Sequence, residues 1–396
     1  MIQISPETQL FIREHSSDDV RALALQAKKY PDINMPTAIT QIAGRQVAAE
    51  KIPSWREIEE IWYPKHLSLE QCSSEITARY KARLFQGDSL IDLTGGFGID
   101  CSFLATGFKT ATYVERQEEL CEIAAHNFPI LNLNHINVRN EDGVAYLQSM
   151  SPVDCIFLDP ARRNEHGGKT VAISDCEPNV AELEALLLSK ANRVMIKLSP
   201  MLDLSLALKE LKHTQEVHIL SVNNECKELL ILLGQTSPAE IAIHCVNLLT
   251  KGTQEEQHLV FTREQEQRSQ CTYTDSLGDY LYEPNASLLK AGAFRSIAAA
   301  YPVRKLHPNS HLYTSDSFIE NFPGRIFRIA NQCSLNKKEV KENLADLKKA
   351  NVTVRNFPAT VTELRKRLHL TEGGDTYLFA STLNNGQKVI IRCEKV

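Results

Sequence analysis

An apolar strand, Ser89-Leu90-Ile91-Asp92-Leu93, runs straight into Thr94-Gly95-Gly96-Phe97-Gly98. Beyond the glycines, Cys101, Phe103, Leu104 and Ala105 give an apolar helix that stops at Gly107. Strand, glycine turn and helix in this order bring backbone N–H groups close to a ligand at the carboxyl edge of a parallel sheet. This part of the chain is therefore expected to be an α/β domain with its ligand at the turn.

The carboxylate of Asp92, just before the glycines, narrows the ligand. A dinucleotide would bring its pyrophosphate to the turn and be repelled. An ammonium gains instead, by about 4 kcal/mol for unit charges about 4 Å apart at an effective dielectric of about 20, before desolvation is subtracted. The dinucleotide pattern G-x-G-x-x-G also fails on register, because from Gly96 and Gly98 its third glycine falls on Cys101. S-adenosylmethionine carries an amino group and a sulfonium but no phosphate, so the turn favours it as cofactor. Asp92 and Thr94, Gly95, Gly96, Phe97 and Gly98 should face its methionine part, with Asp100 a further candidate contact.

From residue 89 apolar strands alternate with amphipathic helices. Strands are expected over 89–93, 110–115, 136–139, 153–158, 193–198, 216–222 and 229–233, with helices at 117–127 and 179–189 among the connections. This alternation implies a mostly parallel sheet covered on both faces. About six residues, 223–228, separate the last two strands; that is too few for a helical crossover, so they should pair antiparallel. A parallel sheet closing on one antiparallel hairpin is the architecture of class I methyltransferases, which this domain resembles. The expected fold class is thus α/β, a Rossmann-like methyltransferase sheet at 87–236. Before it lies a helical region, 1–86; after it come an α+β connecting region, 237–314, and a small α+β domain, 315–396. In the helical region Val20, Leu23, Ala24 and Ala27 keep helical spacing up to Pro31. A further helix is expected from Ser68, capped reciprocally with Gln71, through Ile76, Tyr80 and Leu84 to Gly87. The tail reads as strand 351–356, helix 360–369 and strands 376–383 and 387–393, with Asn384-Asn385-Gly386 as a hairpin turn.

With 396 residues, 43% hydrophobic and 23% charged, the chain has the composition of a globular protein of more than one domain. It contains no run of about 18 apolar residues that would span a membrane, and residues 1–15 are too polar for a secretory leader. Its ten cysteines are never closer than 19 positions, which removes every C-x-x-C pattern. No metal site is expected, and reduced cysteines such as Cys101, Cys155 and Cys245 in apolar runs fit a cytoplasmic location. The net charge of −5 argues against a general nucleic-acid binder, but it is uneven. Residues 315–396 hold 14 Lys and Arg against nine Asp and Glu, which leaves the rest of the chain at −10. An anionic partner for the tail and a merely solvated helix face account equally well for that asymmetry.

Strand ends locate the chemistry. Glu115 closes the second strand, about twenty residues past the glycines, where a carboxylate can accept both ribose hydroxyls; Arg116 follows it. After the third strand, Asp142 could take the adenine amino group, with Gly143 beside it. Singly, each acid reads as readily as a helix cap or a surface charge; three in order are harder to explain so. The fourth strand ends in Asp159-Pro160-Ala161-Arg162-Arg163. Methyl transfer is an in-line displacement, so the protein mainly positions the acceptor and relieves it of a proton. Asp159 can accept a hydrogen bond from an amine or hydroxyl acceptor, and Pro160 stiffens the turn. Arg162 and Arg163, with His166, Gly167, Gly168 and Lys169, could form a cationic lid over a phosphate-bearing substrate or pair with nearby acids. Lys197, on an otherwise apolar fifth strand, either pairs with Asp159 or faces substrate. Carbon-directed transfer would need an activated cysteine, and nothing marks Cys176 as one.

With these residues in view, the chain resembles a bacterial family of class I methyltransferases that end in a THUMP-like domain. The resemblance rests on Glu70-Gln71-Cys72-Ser73-Ser74-Glu75-Ile76-Thr77-Ala78-Arg79-Tyr80-Lys81, on the turn from Asp92 to Asp100, and on Asp159 to Arg163. Lys197 to Pro200, Glu225-Cys226-Lys227-Glu228, and the tail from Asn356-Phe357-Pro358 through Gly373-Gly374 complete it. It implies S-adenosylmethionine as methyl donor, RNA as substrate, and a role for Thr77 and Lys81 near the donor's carboxylate. The tail cations Lys337, Lys338, Lys341, Lys348, Lys349, Arg355, Arg365, Lys366 and Arg367 would then hold phosphates. Two other functions fit the sequence: a methyltransferase for a small molecule or protein, and a non-catalytic RNA-binding protein that keeps the donor pocket.

Overall fold

The computed structural model describes residues 4–162, 172–251 and 255–396. The chain divides into two compact units, Met1–Gln215 with Leu230–Ser237 and Glu216–Leu229 with Pro238–Val396.

The first unit opens with helices α1 (Pro6–Glu14), α2 (Val20–Leu25), α3 (Met35–Lys51), α4 (Pro53–Arg56), α5 (His66–Gln71) and α6 (Glu75–Leu84). Ser5 and Asn34 cap α1 and α3, each accepting a backbone N–H, and a proline occupies the first turn of both. The two helices bury Phe11, Ile12, Met35, Ala38 and Ile42 together. The single helix expected from Ser68 to Gly87 is in fact two. Ser68 lies inside α5, and the chain extends at Cys72 and Ser74 before α6 begins. A tertiary contact overrides the local pattern, because the Ser73 hydroxyl in the break donates to Asp100 Oδ2 at 2.7 Å.

Then come β1 (Gly87–Asp92), α7 (Ile99–Ala105), β2 (Phe108–Glu115), α8 (Glu118–Ile130), β3 (Ile136–Asn140), α9 (Gly143–Ser149) and β4 (Val153–Leu158). The two-residue strands β5 (Ala161–Arg162) and β6 (Cys176–Glu177) pair with each other. They precede α10 (Val180–Lys190), β7 (Ala191–Leu198), α11 (Leu204–Glu210), β8 (Thr214–Val222) and β9 (Glu225–Gly234). The strands β7, β4, β1, β2 and β3 lie side by side in that order, all parallel. The chain winds outward from β1 to β3, then returns to β4 on β1's other flank. That reversal between β1 and β4 opens a crevice at their carboxyl ends. Buried Leu90, Ala111, Phe157 and Met195 fill one side of the sheet. β8 and β9 form the expected hairpin on a tighter turn, the two residues Asn223 and Asn224 with φ of 48° and 70°, a pair of positive angles that two-residue hairpins favour.

In the second unit β10 (Ala242–Leu248) runs parallel to β8 from Glu216 to Val222, and β11 (Glu256–Phe261) runs antiparallel to β10. After α12 (Arg263–Arg268) comes a seven-stranded sheet. Its elements are β12 (Tyr280–Pro284), α13 (Ala286–Ala291), α14 (Phe294–Ala300), β13 (Arg304–Lys305), β14 (Tyr313–Ser315), β15 (Gly324–Cys333), α15 (Lys337–Leu344), β16 (Asn351–Val354), α16 (Val361–Leu368), β17 (Thr376–Thr382) and β18 (Lys388–Lys395). The strand order is β13-β14-β12-β15-β18-β17-β16. Strict alternation splits its core: Phe379, Val389 and Ile391 face one layer, while Leu378, Ala380 and Ile390 face Leu344 of α15 and Leu364 of α16. The sequence pattern predicts neither β15 nor α15; a bulge between Ile329 and Asn331 breaks the strand's alternation.

Candidate active site

The glycine turn is held by backbone pairing and one aromatic ring. Gly95 N–H donates to Val114 O at 2.9 Å, and the Tyr113 hydroxyl donates to Gly96 O at 2.5 Å. A Cβ on Gly95 would sit 2.2 Å from the Tyr113 ring, so only glycine fits there. Gly98 starts α7 at φ +83°, in the left-handed region that glycine occupies without strain. Phe97 turns inward against Trp55, centroids 5.3 Å apart, and Tyr63 at 6.1 Å, fixing the turn to the helical region.

Three acids stand at successive strand ends, and each is held by backbone N–H groups. Asp92, almost fully buried, accepts from Thr94 N–H at 3.0 Å. Burial above all, then the neighbouring carboxylates Asp100, Asp159 and Glu115, push it up to about 8, against the pull of that N–H. Glu115 accepts from Gly96 N–H at 2.9 Å on one oxygen and Gln117 N–H at 2.8 Å on the other. Asp142 caps α9, taking the Val144 and Ala145 N–H groups on one oxygen at 3.0 Å each. The cap and the cleft-facing acid are here the same residue, with Gly143 beside it in the cleft wall.

Behind the turn lies a buried charge network. Lys81 Nζ is 3.0 Å from Asp100 Oδ1, and Lys197 Nζ is 3.4 Å from Asp100 Oδ2 and 2.6 Å from Asp159 Oδ2. Both lysines also donate to Ser73 Oγ, at 3.0 and 3.1 Å. Burial works to raise the Asp100 carboxyl, but Lys81 and Lys197 outweigh it and hold the group below its ordinary value. Two lysines against two carboxylates make the cluster neutral, the condition under which buried ions persist. Sequence reasoning found both lysines and both acids but missed Ser73, which joins them. Its only signal was the polar Cys72-Ser73-Ser74 interruption of an amphipathic pattern.

The remaining candidates separate. Pro160 is buried and lies outside the cleft lining; Arg116 lines the cleft, largely exposed, with its Nη1 3.7 Å from Glu177. Thr77 is buried and donates to Ser74 O at 3.0 Å, away from the cleft. Lys81 likewise does not line it, and works through Asp100. Arg162 extends into β5, whereas Arg163, His166, Gly167, Gly168 and Lys169 lie outside the described residues. Cys176 is buried in β6 and off the cleft; the sulfur in its wall is that of Cys72, whose thiol burial pushes up to about 11. That is the wrong direction for a nucleophile.

These elements enclose a cleft of about 460 Å³ whose described lining holds seven carboxylates, Asp92, Asp100, Glu115, Asp142, Asp159, Glu177 and Glu182, against the cations Arg116 and Lys197. Leu120, Val144, Leu147 and Leu183 add an apolar wall. Such a cleft repels phosphate and attracts a cation with a flat, partly apolar body. In the tail, Arg355 pairs with buried Glu283 at 3.0 Å and Arg365 with Glu372 at 3.0 Å, while Arg367 donates to Leu335 O. Lys337, Lys338, Lys341, Lys348, Lys349 and Lys366 are exposed.

A THUMP domain-like family model matches residues 324–395, and a ferredoxin-like domain model matches residues 280–323. A protein of Porphyromonas gingivalis W83, assigned as a methyltransferase, is 34% identical over the full length of both chains, with a TM-score of 0.87. The chain belongs to the methyltransferase family with a C-terminal THUMP-like domain. The Porphyromonas gingivalis protein thus matches both units from end to end, the α/β sheet and the α+β tail included. Slighter similarity, TM-scores of 0.30 each, links part of the chain to an rRNA methylase of Streptococcus thermophilus (13% identity, 40% of this chain, 94% of that one) and to a methyltransferase assignment from Streptococcus mutans (12%, 40% and 96%); nothing below rests on these two. None of the curated proteins compared is significantly similar. Among the described residues, no helix is long and apolar enough to cross a membrane.

Proposed function

We propose that this protein transfers a methyl group from S-adenosylmethionine to a nitrogen or oxygen of an RNA nucleotide. The observation that carries the donor is the excess of carboxylates in a cleft built on a glycine turn, which suits an ammonium and a sulfonium and disfavours a phosphate-bearing coenzyme. When bound, S-adenosylmethionine supplies an activated methyl group. Asp92 and the turn from Thr94 to Gly98 would then hold the amino-acid end, Glu115 the ribose hydroxyls, and Asp142 the adenine amino group. Both Glu115 oxygens already accept one backbone N–H each, so the carboxylate is oriented before any ligand arrives.

Asp159 is the residue for the acceptor. It lines the cleft, partly exposed, and its 2.6 Å ion pair with Lys197 aims the carboxylate. An acceptor N–H or O–H can donate to its remaining lone pairs, which orients the nucleophile and disperses the charge that develops on it. The THUMP-like tail and its exposed lysines, which can neutralise phosphates without reading sequence, support RNA as the acceptor. A small amine acceptor is the second reading, favoured by the same acidity of the cleft.

The test is transfer of labelled methyl to total RNA from cells lacking the gene, followed by nucleoside mass spectrometry. Label in one nucleoside, lost with Asp159→Ala, supports the proposal. Label appearing only in small molecules or protein favours the second reading. Tight donor binding with no acceptor in any extract refutes both.

A further inference from the structure

Away from the residues discussed so far, strand register gathers four metal-capable side chains on one face of the second unit's three strands. Glu216 and His218 stand two apart on β8 and so project from the same face. His218 is the direct partner of His244 on β10, and His258 of β11 pairs with Val246, two residues from His244. The donor atoms have converged. Glu216 Oε2 lies 3.2 Å from His218 Nε2 and 3.9 Å from His244 Nε2, and one donor atom from each of the three lies within 4.8 Å of the others. His244 Nδ1 is 3.2 Å from His258 Nε2.

We propose that Glu216, His218 and His244 form a binding site for one divalent transition-metal ion of the zinc class, oriented by His258. Tetrahedral zinc, with bonds of about 2.0–2.1 Å to nitrogen and oxygen, needs ligand atoms about 3.4 Å apart, and the separations here bracket that value. Two imidazoles and a carboxylate select borderline ions over magnesium or calcium. With a proton on Nδ1 shared towards His258, His244 presents its Nε2 lone pair to the ion. This is the outer-shell hydrogen bond that ligating histidines ordinarily make. The stacked rings of His218 and His244, centroids 4.3 Å apart and planes 13° apart, must fan open about χ2 to point at a common ion. A fourth position is left for water. Bound there, the ion would tie β8 to β10 across a parallel pair, so its role is to brace the second unit. Cysteine spacing could not have announced it, since the donors lie on three strands and 42 residues separate the first from the last.

The experiment uses the full chain stripped with chelator and titrated with Co²⁺, followed by its visible absorption and by calorimetry, then by Zn²⁺ competition. One Co²⁺ per chain, displaced by Zn²⁺ but not by Mg²⁺, is expected. His244→Gln and Glu216→Gln should each weaken binding by at least about tenfold, and His258→Gln by about tenfold through His244 alone. The double variant His218→Gln with His244→Gln should bind none. No stoichiometric Co²⁺ at micromolar concentration overturns the site, as does unchanged affinity in the double variant. Should buried His218 prove necessary for folding, the half-exposed Glu216→Gln variant decides: unchanged affinity there refutes the proposal.

Discussion

In the proposed donor site, Asp92 would make binding a proton-linked event. Its carboxyl is buried at the end of β1 and pushed up to about 8, first by burial and then by Asp100, Asp159 and Glu115, against the Thr94 N–H. Near neutral pH the free protein therefore holds it mostly protonated. Only the ionised form attracts the donor's ammonium, so binding must expel that proton. The sign follows: affinity strengthens as pH rises and levels off above about 8. Below that value each pH unit costs about tenfold, or about 1.4 kcal/mol. Between about pH 6 and about pH 8 the gain is roughly 50-fold, about 2.3 kcal/mol, when the bound carboxyl returns to its ordinary range. Calorimetry of adenosylhomocysteine across this window, in two buffers of different ionisation enthalpy, measures both the slope and the proton released. Asp92→Asn should bind with no slope. Wild-type affinity that is flat, or that falls as pH rises, refutes the reasoning. The stability of the free protein carries the opposite sign. The unfolded chain ionises Asp92 first, so stability is lost between about pH 4 and about pH 8 and is regained in Asp92→Asn.

Lys197→Met leaves Asp159 without its 2.6 Å partner and Asp100 with Lys81 as its remaining lysine, so unfolding in denaturant should show a loss of about 3 kcal/mol; a loss below about 1 kcal/mol would mean that the network does not hold the site together. Gly95→Ala drives a methyl to 2.2 Å from Tyr113, which should destabilise the protein by about 1–3 kcal/mol, and a double-mutant cycle with Tyr113→Leu should recover part of that. Cys72→Ser should leave methyl transfer within about twofold of wild type, because a thiol raised to about 11 holds too little thiolate at neutral pH to act; loss of transfer on an intact fold would instead point to a carbon acceptor.

The strands of the first unit were legible because buried parallel strands are short apolar runs between glycines and amphipathic helices. Leu90, Ile91 and Ile156 say as much in one dimension as in three. The placement of the acids at the strand ends was legible for the same reason, since position in the pattern fixes position in space. Ser73 was not. It sits where an amphipathic helix was expected to continue, and only Lys81, Lys197 and Asp100, brought together by folding, give it a reason to leave the helix. The same limit hid β15, whose bulge breaks the period of two, and the Glu216 cluster, which exists only through the pairing of β8 with β10.

The acidity that suits the cleft to a methyl donor constrains how the proposed RNA substrate could use it. Even with Asp92 protonated, six carboxylates against two cations would repel any backbone phosphate drawn into the lining. An acceptor nucleotide therefore has to offer its base edge or ribose hydroxyl to Asp159 while its phosphates stay outside. Unstacking the target from its neighbours, at a few kcal/mol, achieves that separation. The compensation has to come from phosphate contacts elsewhere on the chain, and the exposed lysines of α15, of the segment before β16 (Lys348 and Lys349) and of α16 are residues of that kind. Donor affinity should then depend little on salt and RNA affinity steeply, since the two ligands are held by opposite charges on separate elements.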